Sequence, residues 1–154
     1  GSPEIQKMIK KNLDYEKASQ AIEEAAKMGI IVHGFFMMGF PGETEEQLNM
    51  TIDFAKRSSL NTASFFAVTA YPDTELHKIA KQKGISLPND FDAYHYHYNT
   101  INLTDIPLQR LRLLRKKAYW KFYANPFRAY KILSMTPRKV DILTNLKMHV
   151  RDFF

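Results

Sequence analysis

At 154 residues, 45% of them hydrophobic and 13% aromatic, the chain is long enough to bury one core and too apolar to be disordered. Its formal charge of +6 is unevenly placed. Residues 1–105 carry 10 Lys/Arg against 14 Asp/Glu, a net −4, whereas residues 106–154 carry 12 against 2, a net +10. No apolar run approaches the ~20 residues needed to span a bilayer, and no signal-peptide pattern opens the sequence. The lack of any cysteine excludes disulfide scaffolds and thiolate metal sites.

Taken in order, Pro3 starts a short helix that reaches Lys11. Asp14 caps a helix over Tyr15–Met28, with Ala18, Ala21, Ile22, Ala25 and Ala26 on one face and Gly29 as its stop. Ile30–Met38 is nearly unbroken apolar sequence, as expected of a parallel strand covered on both faces. Gly39 and Gly42 supply a tight turn, Pro41 stiffens it, and Thr44 with Gln47 forms a capping box. The next helix buries Leu48, Ile52 and Ala55. A second strand runs Ala63–Ala70, and Tyr71-Pro72-Asp73-Thr74 turns into a helix with Leu76, Ile79 and Ala80 inward, ended by Gly84. Strands and helices alternating at this spacing predict a parallel α/β sheet with right-handed crossovers.

Residues 85–104 read as a linker loop with Pro88-Asn89-Asp90 and an aromatic run from Phe91 to Tyr98. A helix is predicted over Leu108–Tyr123 and broken by Pro126, Pro137 breaks the following segment, and a last helix covers Arg138 to Val150. There is no internal repeat.

The stretch HGFFMMGFPGET is the most informative part. A strand's carboxyl end, a Gly-rich loop and a helix N-terminus make a site for a nucleotide-like ligand; an ordinary strand-to-helix turn is the competing reading. The wider run from Gly1 through Lys56, followed by ASFFAVTAYPDTEL, resembles the later half of a radical S-adenosylmethionine (SAM) enzyme barrel, with GFPGET and then YPDTEL as its most specific segments. It is closest to the iron–sulfur oxidoreductase group whose members often carry a cobalamin-binding domain upstream.

The resemblance implies an α/β fold. Residues 1–84 would be half of a TIM-type β/α barrel with parallel strands, followed by the linker of residues 85–104 and a basic α-helical extension over 105–154. Such enzymes hold a four-iron cluster on a CxxxCxxC loop, and thiolates are the usual ligands. With no cysteine, this chain cannot hold the cluster in that way. It reads as the C-terminal piece of a longer, cytoplasmic enzyme from an oxygen-poor setting. Its partner would be the N-terminal half, and by itself it would be inert, with no catalytic and no metal-ligating residue.

Carried onto this sequence, the resemblance implies SAM contacts from seven residues. Ser2 falls at a strand end that approaches the ribose and carboxylate, although Gly1-Ser2 also reads as an expression-tag remnant. Met37 falls where an apolar side chain packs on the adenine, and Gly39 and Pro41 let the loop backbone come near. Glu43 sits at the helix start, where the dipole alone gives a carboxylate ~0.3–1 kcal/mol. Tyr71 and Pro72 form the turn lining the adenine end, with Asp73 where a glycine is usual. Phe35 also departs from the family pattern.

Other candidates carry bland alternatives. His33 reads as a core histidine more readily than a substrate contact. His95 and His97 with Asp90 or Asp92 give weak zinc spacing, and an aromatic loop closing over the barrel is the competing reading. Leu108, Leu111, Arg112, Arg115, Lys116, Tyr119, Trp120 and Tyr123, continued by Phe127, Arg128, Tyr130, Lys131 and Ile132, form a cationic amphipathic stripe. It reads as a helix packing on the barrel with its basic side chains reaching water. A peripheral element on an anionic membrane is the sharper alternative. Nucleic acid is disfavoured, since no base-reading module is identifiable. A half barrel also leaves a free strand edge, which predicts a homodimer or an element swap.

Overall fold

The computed structural model describes residues 1–11, 13–90, 94 and 101–135, apart from the Met135 side chain. Its elements are α1 (Pro3–Met8), α2 (Tyr15–Lys27), β1 (His33–Met38), α3 (Glu45–Arg57), β2 (Thr62–Ala67), α4 (Glu75–Gln82), α5 (Leu108–Tyr123) and α6 (Pro126–Met135). The aromatic run other than Tyr94, with His95, His97 and Asp92, and the helix expected from Arg138 onward all lie outside the described residues.

Local chemistry sets most boundaries. The Asp14 carboxylate caps α2 by accepting from the Glu16 and Lys17 amides. Gly29, at φ +77°, takes the left-handed conformation that ends it. The docked face of α2 holds Tyr15, Ala18, Ile22, Ala25 and Ala26 half-buried, whereas Ala21, expected on that face, is exposed. Thr44 and Gln47 form the capping box of α3, which buries Leu48, Thr51, Ile52 and Ala55. The first helix stops at Met8, short of Lys11, and Lys10 follows it with φ +56°.

β1 and β2 pair in parallel, from His33 opposite Thr62 to Met38 opposite Ala67. Both strands are shorter than the sequence suggests. Ile30 and Ile31 precede β1 and are exposed, and Val68, Thr69 and Ala70 follow β2 as buried loop. Burial on both faces is absent too. Burial alternates along β1, so that Phe35 is 73% and Met37 48% exposed while Met38 is closed off. One face of the pair packs under α3 and α5, and among the described residues no element covers the other. The apolar run is a one-sided strand whose outward positions are also apolar.

The covered face holds the main core: Met38, Leu48, Ile52, Ala55, Leu60, Ala63, Phe65, Leu111, Leu114, Ala118 and Phe122. α5 therefore turns inward on Leu111, Leu114, Ala118 and Phe122, with Trp120 facing out. A second cluster joins Ile5, Phe40, Val68, Ala70 and Ala80 to Tyr94, Ile101 and Leu103. Pro126 opens α6 at its first turn, and the Asn125 side chain accepts from the Phe127 and Arg128 amides. No helix among the described residues is long and apolar enough to cross a membrane.

Two devices fasten α5 and α6 to the sheet. The Tyr123 hydroxyl accepts from the Ala63 amide (3.1 Å) and donates to the Ala63 carbonyl (2.9 Å). Tyr119 does the same at Phe65 (3.1 and 3.4 Å). Arg128 is buried and spends its guanidinium on the carbonyls of Leu60 (3.1 Å), Lys56 (3.2 Å), Ser58 (2.8 Å) and Phe122, above the Phe122 ring. It caps the C-terminal ends of α3 and α5 together, so its charge is structural.

Arg128→Ala leaves these carbonyls without their donor and is expected to cost about 3 kcal/mol in denaturant unfolding, with Lys recovering only part. A loss below about 1 kcal/mol would mean that water replaces the guanidinium at little cost. The double change Tyr119→Phe and Tyr123→Phe keeps the rings but removes both hydroxyls. It is expected to cost about 1 kcal/mol per site and to raise self-association in light scattering, because the β2 edge is then open to a second chain.

Candidate functional site

The carboxyl ends of β1 and β2 lie side by side, joined beyond the strands by a bond from the Val68 amide to the Met38 carbonyl (3.0 Å). From there the chain turns through Gly39 and Gly42, both left-handed at φ +100° and +72°. At Gly39 a side chain would be strained and its Cβ would stand 3.3 Å from Leu111.

Glu43 organises this turn. It does not sit at the first turn of α3, where Thr44 is the cap, but one position earlier. Its side chain folds back, and one carboxylate oxygen accepts from the amides of Gly39 (2.7 Å) and Phe40 (3.0 Å). The residue is 3% exposed. Burial pushes its pKa above the usual carboxylate range, against the pull of the two amides. Those amides are consequently spent within the protein and are not donors for a ligand.

Ser2, Met37 and Glu43 line one cavity of about 150 Å³, with Tyr15, Phe35 and Phe40. Ser2 is closed in: its hydroxyl caps α1 at Ile5 (3.4 Å) and donates to Glu4. Gly39 and Pro41 lie in the turn beside this cavity. Tyr71 and Pro72 are on the β2 side and do not line it. Tyr71 is half-buried, stacked on Tyr94 with centroids 5.8 Å apart, and donates to the Tyr94 carbonyl (3.3 Å). Pro72 is exposed. Asp73 adopts φ +65°, the conformation a glycine would take there, so the turn keeps its shape despite the substitution.

The open face of the sheet carries residues that strand periodicity marks on each strand but that only the register joins. The Phe35 and Phe66 rings stack with centroids 5.8 Å apart, and Met37 is the register partner of Phe66. His33 is exposed rather than a core residue, with Nδ1 2.7 Å from the Thr62 hydroxyl and Nε2 3.0 Å from that of Ser64.

The open sheet face beside the strand-end turn is apolar, and at Gly39 the room a Cβ would need is already taken by Leu111 of the core. The site does not fit an iron–sulfur cluster: the sequence has no cysteine, and among the described residues no three metal-binding side chains come together.

The geometry defines a β/α unit built on two parallel strands. Residues 1–55 match the model of the Radical SAM superfamily. Over 125 residues, 81% of its length, the chain is 32% identical to an uncharacterized methyltransferase of Pyrococcus horikoshii, covering 27% of that protein. It is 33% identical over 92 residues (56% of the chain, 17% of the relative) to cytidylyl-2-hydroxyethylphosphonate methyltransferase of Streptomyces wedmorensis. It is 30% identical over 96 residues (61% and 20%) to a ribosomal protein uS12 methylthiotransferase from a Shewanella species. The chain thus spans about a quarter or less of the length of these relatives.

The role of Glu43 is testable through pH. A carboxyl whose folded pKa is raised contributes stability that is complete below its unfolded pKa and lost as pH rises through the folded value. Glu43→Gln fixes the neutral form, so its stability relative to the parent protein is expected to rise as pH is raised through and above the ordinary carboxylate range, in chemical unfolding. A gap that stays flat over that range would show that the carboxylate is not held neutral by burial. Glu43→Ala leaves two buried amides unpaired and should cost about 1–3 kcal/mol.

Proposed function

We propose that this chain is the C-terminal part of a radical SAM enzyme that transfers a methyl or methylthio group, contributing late strands of a partial β/α barrel. The observation that carries this reading is the Glu43-clamped turn at the end of β1, in the segment that matches the superfamily, beside an uncovered apolar sheet face. The relatives' names support the reaction class. The upstream part would hold the CxxxCxxC cluster loop and, in the group the sequence most resembles, a cobalamin domain. SAM and the cluster supply the radical chemistry when bound.

The residues here position and exclude. Glu43 fixes the Gly39–Phe40 backbone before a ligand arrives, which lowers the ordering cost of binding. Met37 gives the adenine an apolar rest, and the Gly39 backbone borders it closely. The Phe35–Phe66 wall keeps water from the reacting centre. Ser2 is occupied as a helix cap, and Tyr71 and Pro72 act from the neighbouring turn. The enzyme would be cytoplasmic, and its N-terminal half would be the partner of the open edge of β1.

After anaerobic reconstitution with iron and sulfide, the 154-residue chain is expected to hold no cluster and to make no 5′-deoxyadenosine. The longer protein from the same gene should do both when given SAM and a reductant. There, Met37→Asp should weaken SAM binding at least about tenfold by setting a charge against the ring. A longer reading frame without CxxxCxxC, or cluster formation on the 154 residues alone, would overturn the proposal.

A further inference from the structure

The outer surfaces of α5 and α6 combine three features that the enzyme reading leaves unused. The sequence from Ile106 to Val140 contains no Asp or Glu. Four of the cations in these two helices are turned inward: Arg110 pairs with Glu45, Lys121 with Asp53, Lys117 bonds to Asn49, and Arg128 is buried on carbonyls. With Arg112, Arg115, Lys116 and Lys131 the two helices carry eight cations, and at the α6 end Glu23 of α2 lines one cavity with Phe127 and Lys131. Between these cations stand exposed apolar side chains: Leu113, Trp120 (69%), Phe127 (84%), Tyr130 and Leu133. Trp120 and Phe127 flank the short turn at Ala124–Asn125.

We infer that this face docks on an anionic lipid surface, with Lys116 and Lys131 at the headgroups and Trp120, Phe127 and Tyr130 at the interface. Charge complementarity selects an anionic partner. The aromatic and leucine side chains select one with an apolar layer beneath the charge, since amphipathic rings sit at headgroup depth and leucine gains from hydrocarbon. A nucleic acid would use the cations and the rings but would leave Leu113 and Leu133 in water. No described helix spans a bilayer, so the contact is a surface one. It stands whether or not the enzyme reading holds.

Trp120 is the only tryptophan and reports on the contact directly. With phosphatidylcholine–phosphatidylglycerol vesicles its emission is expected to shift to the blue and the chain to float with the lipid, both effects fading as salt is raised. Pure phosphatidylcholine should give neither. Lys116→Gln with Lys131→Gln should lower vesicle partitioning about thirty-fold, at roughly 1 kcal/mol per lysine. Phe127→Ser with Tyr130→Ser should also weaken it; all four side chains lie off the core, and circular dichroism checks the fold. No emission shift with anionic vesicles would overturn the inference. So would an equal shift on neutral lipid, or a single-stranded oligonucleotide that perturbs Trp120 more strongly and displaces the vesicles.

Discussion

The hydroxyls of Tyr119 and Tyr123 on the outer edge of β2 are the contact on which the rest of this structure depends. A parallel pair of strands is not stable by itself in water, and its edge peptides need partners. A phenol both donates and accepts, so each tyrosine satisfies the amide and the carbonyl of one residue, as a neighbouring strand would. Burial raises the pKa of Tyr123, which keeps it a neutral donor at ordinary pH. The rings bring α5 down onto the sheet, and Leu111, Leu114, Ala118 and Phe122 then close the core. Arg128 locks the far end by gathering the last carbonyls of α3 and α5.

That arrangement fixes where a ligand can approach. One face and one edge of the sheet are consumed by α3, α5 and the two tyrosines. The remaining face presents Phe35, Met37 and Phe66, and the strand ends lead into a turn stiffened by Glu43 from inside. A carboxyl group buried with one oxygen on two amides is a poor general base for an outside substrate, because its access is closed. Its value is to hold the backbone of a Gly-containing turn in one conformation. Among the described residues the remaining face offers shape and apolar surface, with the exposed His33 imidazole beside Phe35.

Much of this was legible in the sequence. Caps at Asp14 and Thr44 and the stop at Gly29 follow from local hydrogen bonding and φ preferences, and the structure has all of them. The Leu48, Ile52, Ala55 stripe and the whole span of α5 follow from helical period. Errors arose where tertiary partners decide. Ile30 to Met38 looks buried on both faces because the outward positions are apolar, and nothing local says that no described element covers them. Two tyrosines of α5 meet a strand edge rather than a core, a destination that helical period does not encode. Glu43 at a helix start is fully explained by the dipole, so its reversal into the preceding turn carried no sequence signal. Arg128 belonged by composition to a solvated basic stripe, yet four carbonyls converge on it.

The charge split along the chain also acquires a structural use. Glu45 meets Arg110, Asn49 meets Lys117 and Asp53 meets Lys121, three contacts in the same order along both helices, so α3 and α5 run in the same direction. Exposed pairs of this kind add little stability individually, but as a ladder they set the axial register of one helix on the other. In a β/α repeat the helix beside α3 would be the one that follows β2. That helix, α4, instead joins the second cluster through Ala80. α5 lies beside α3 with its leucines and satisfies the β2 edge with its tyrosine hydroxyls, so a single helix covers both a face and an edge of the strand pair.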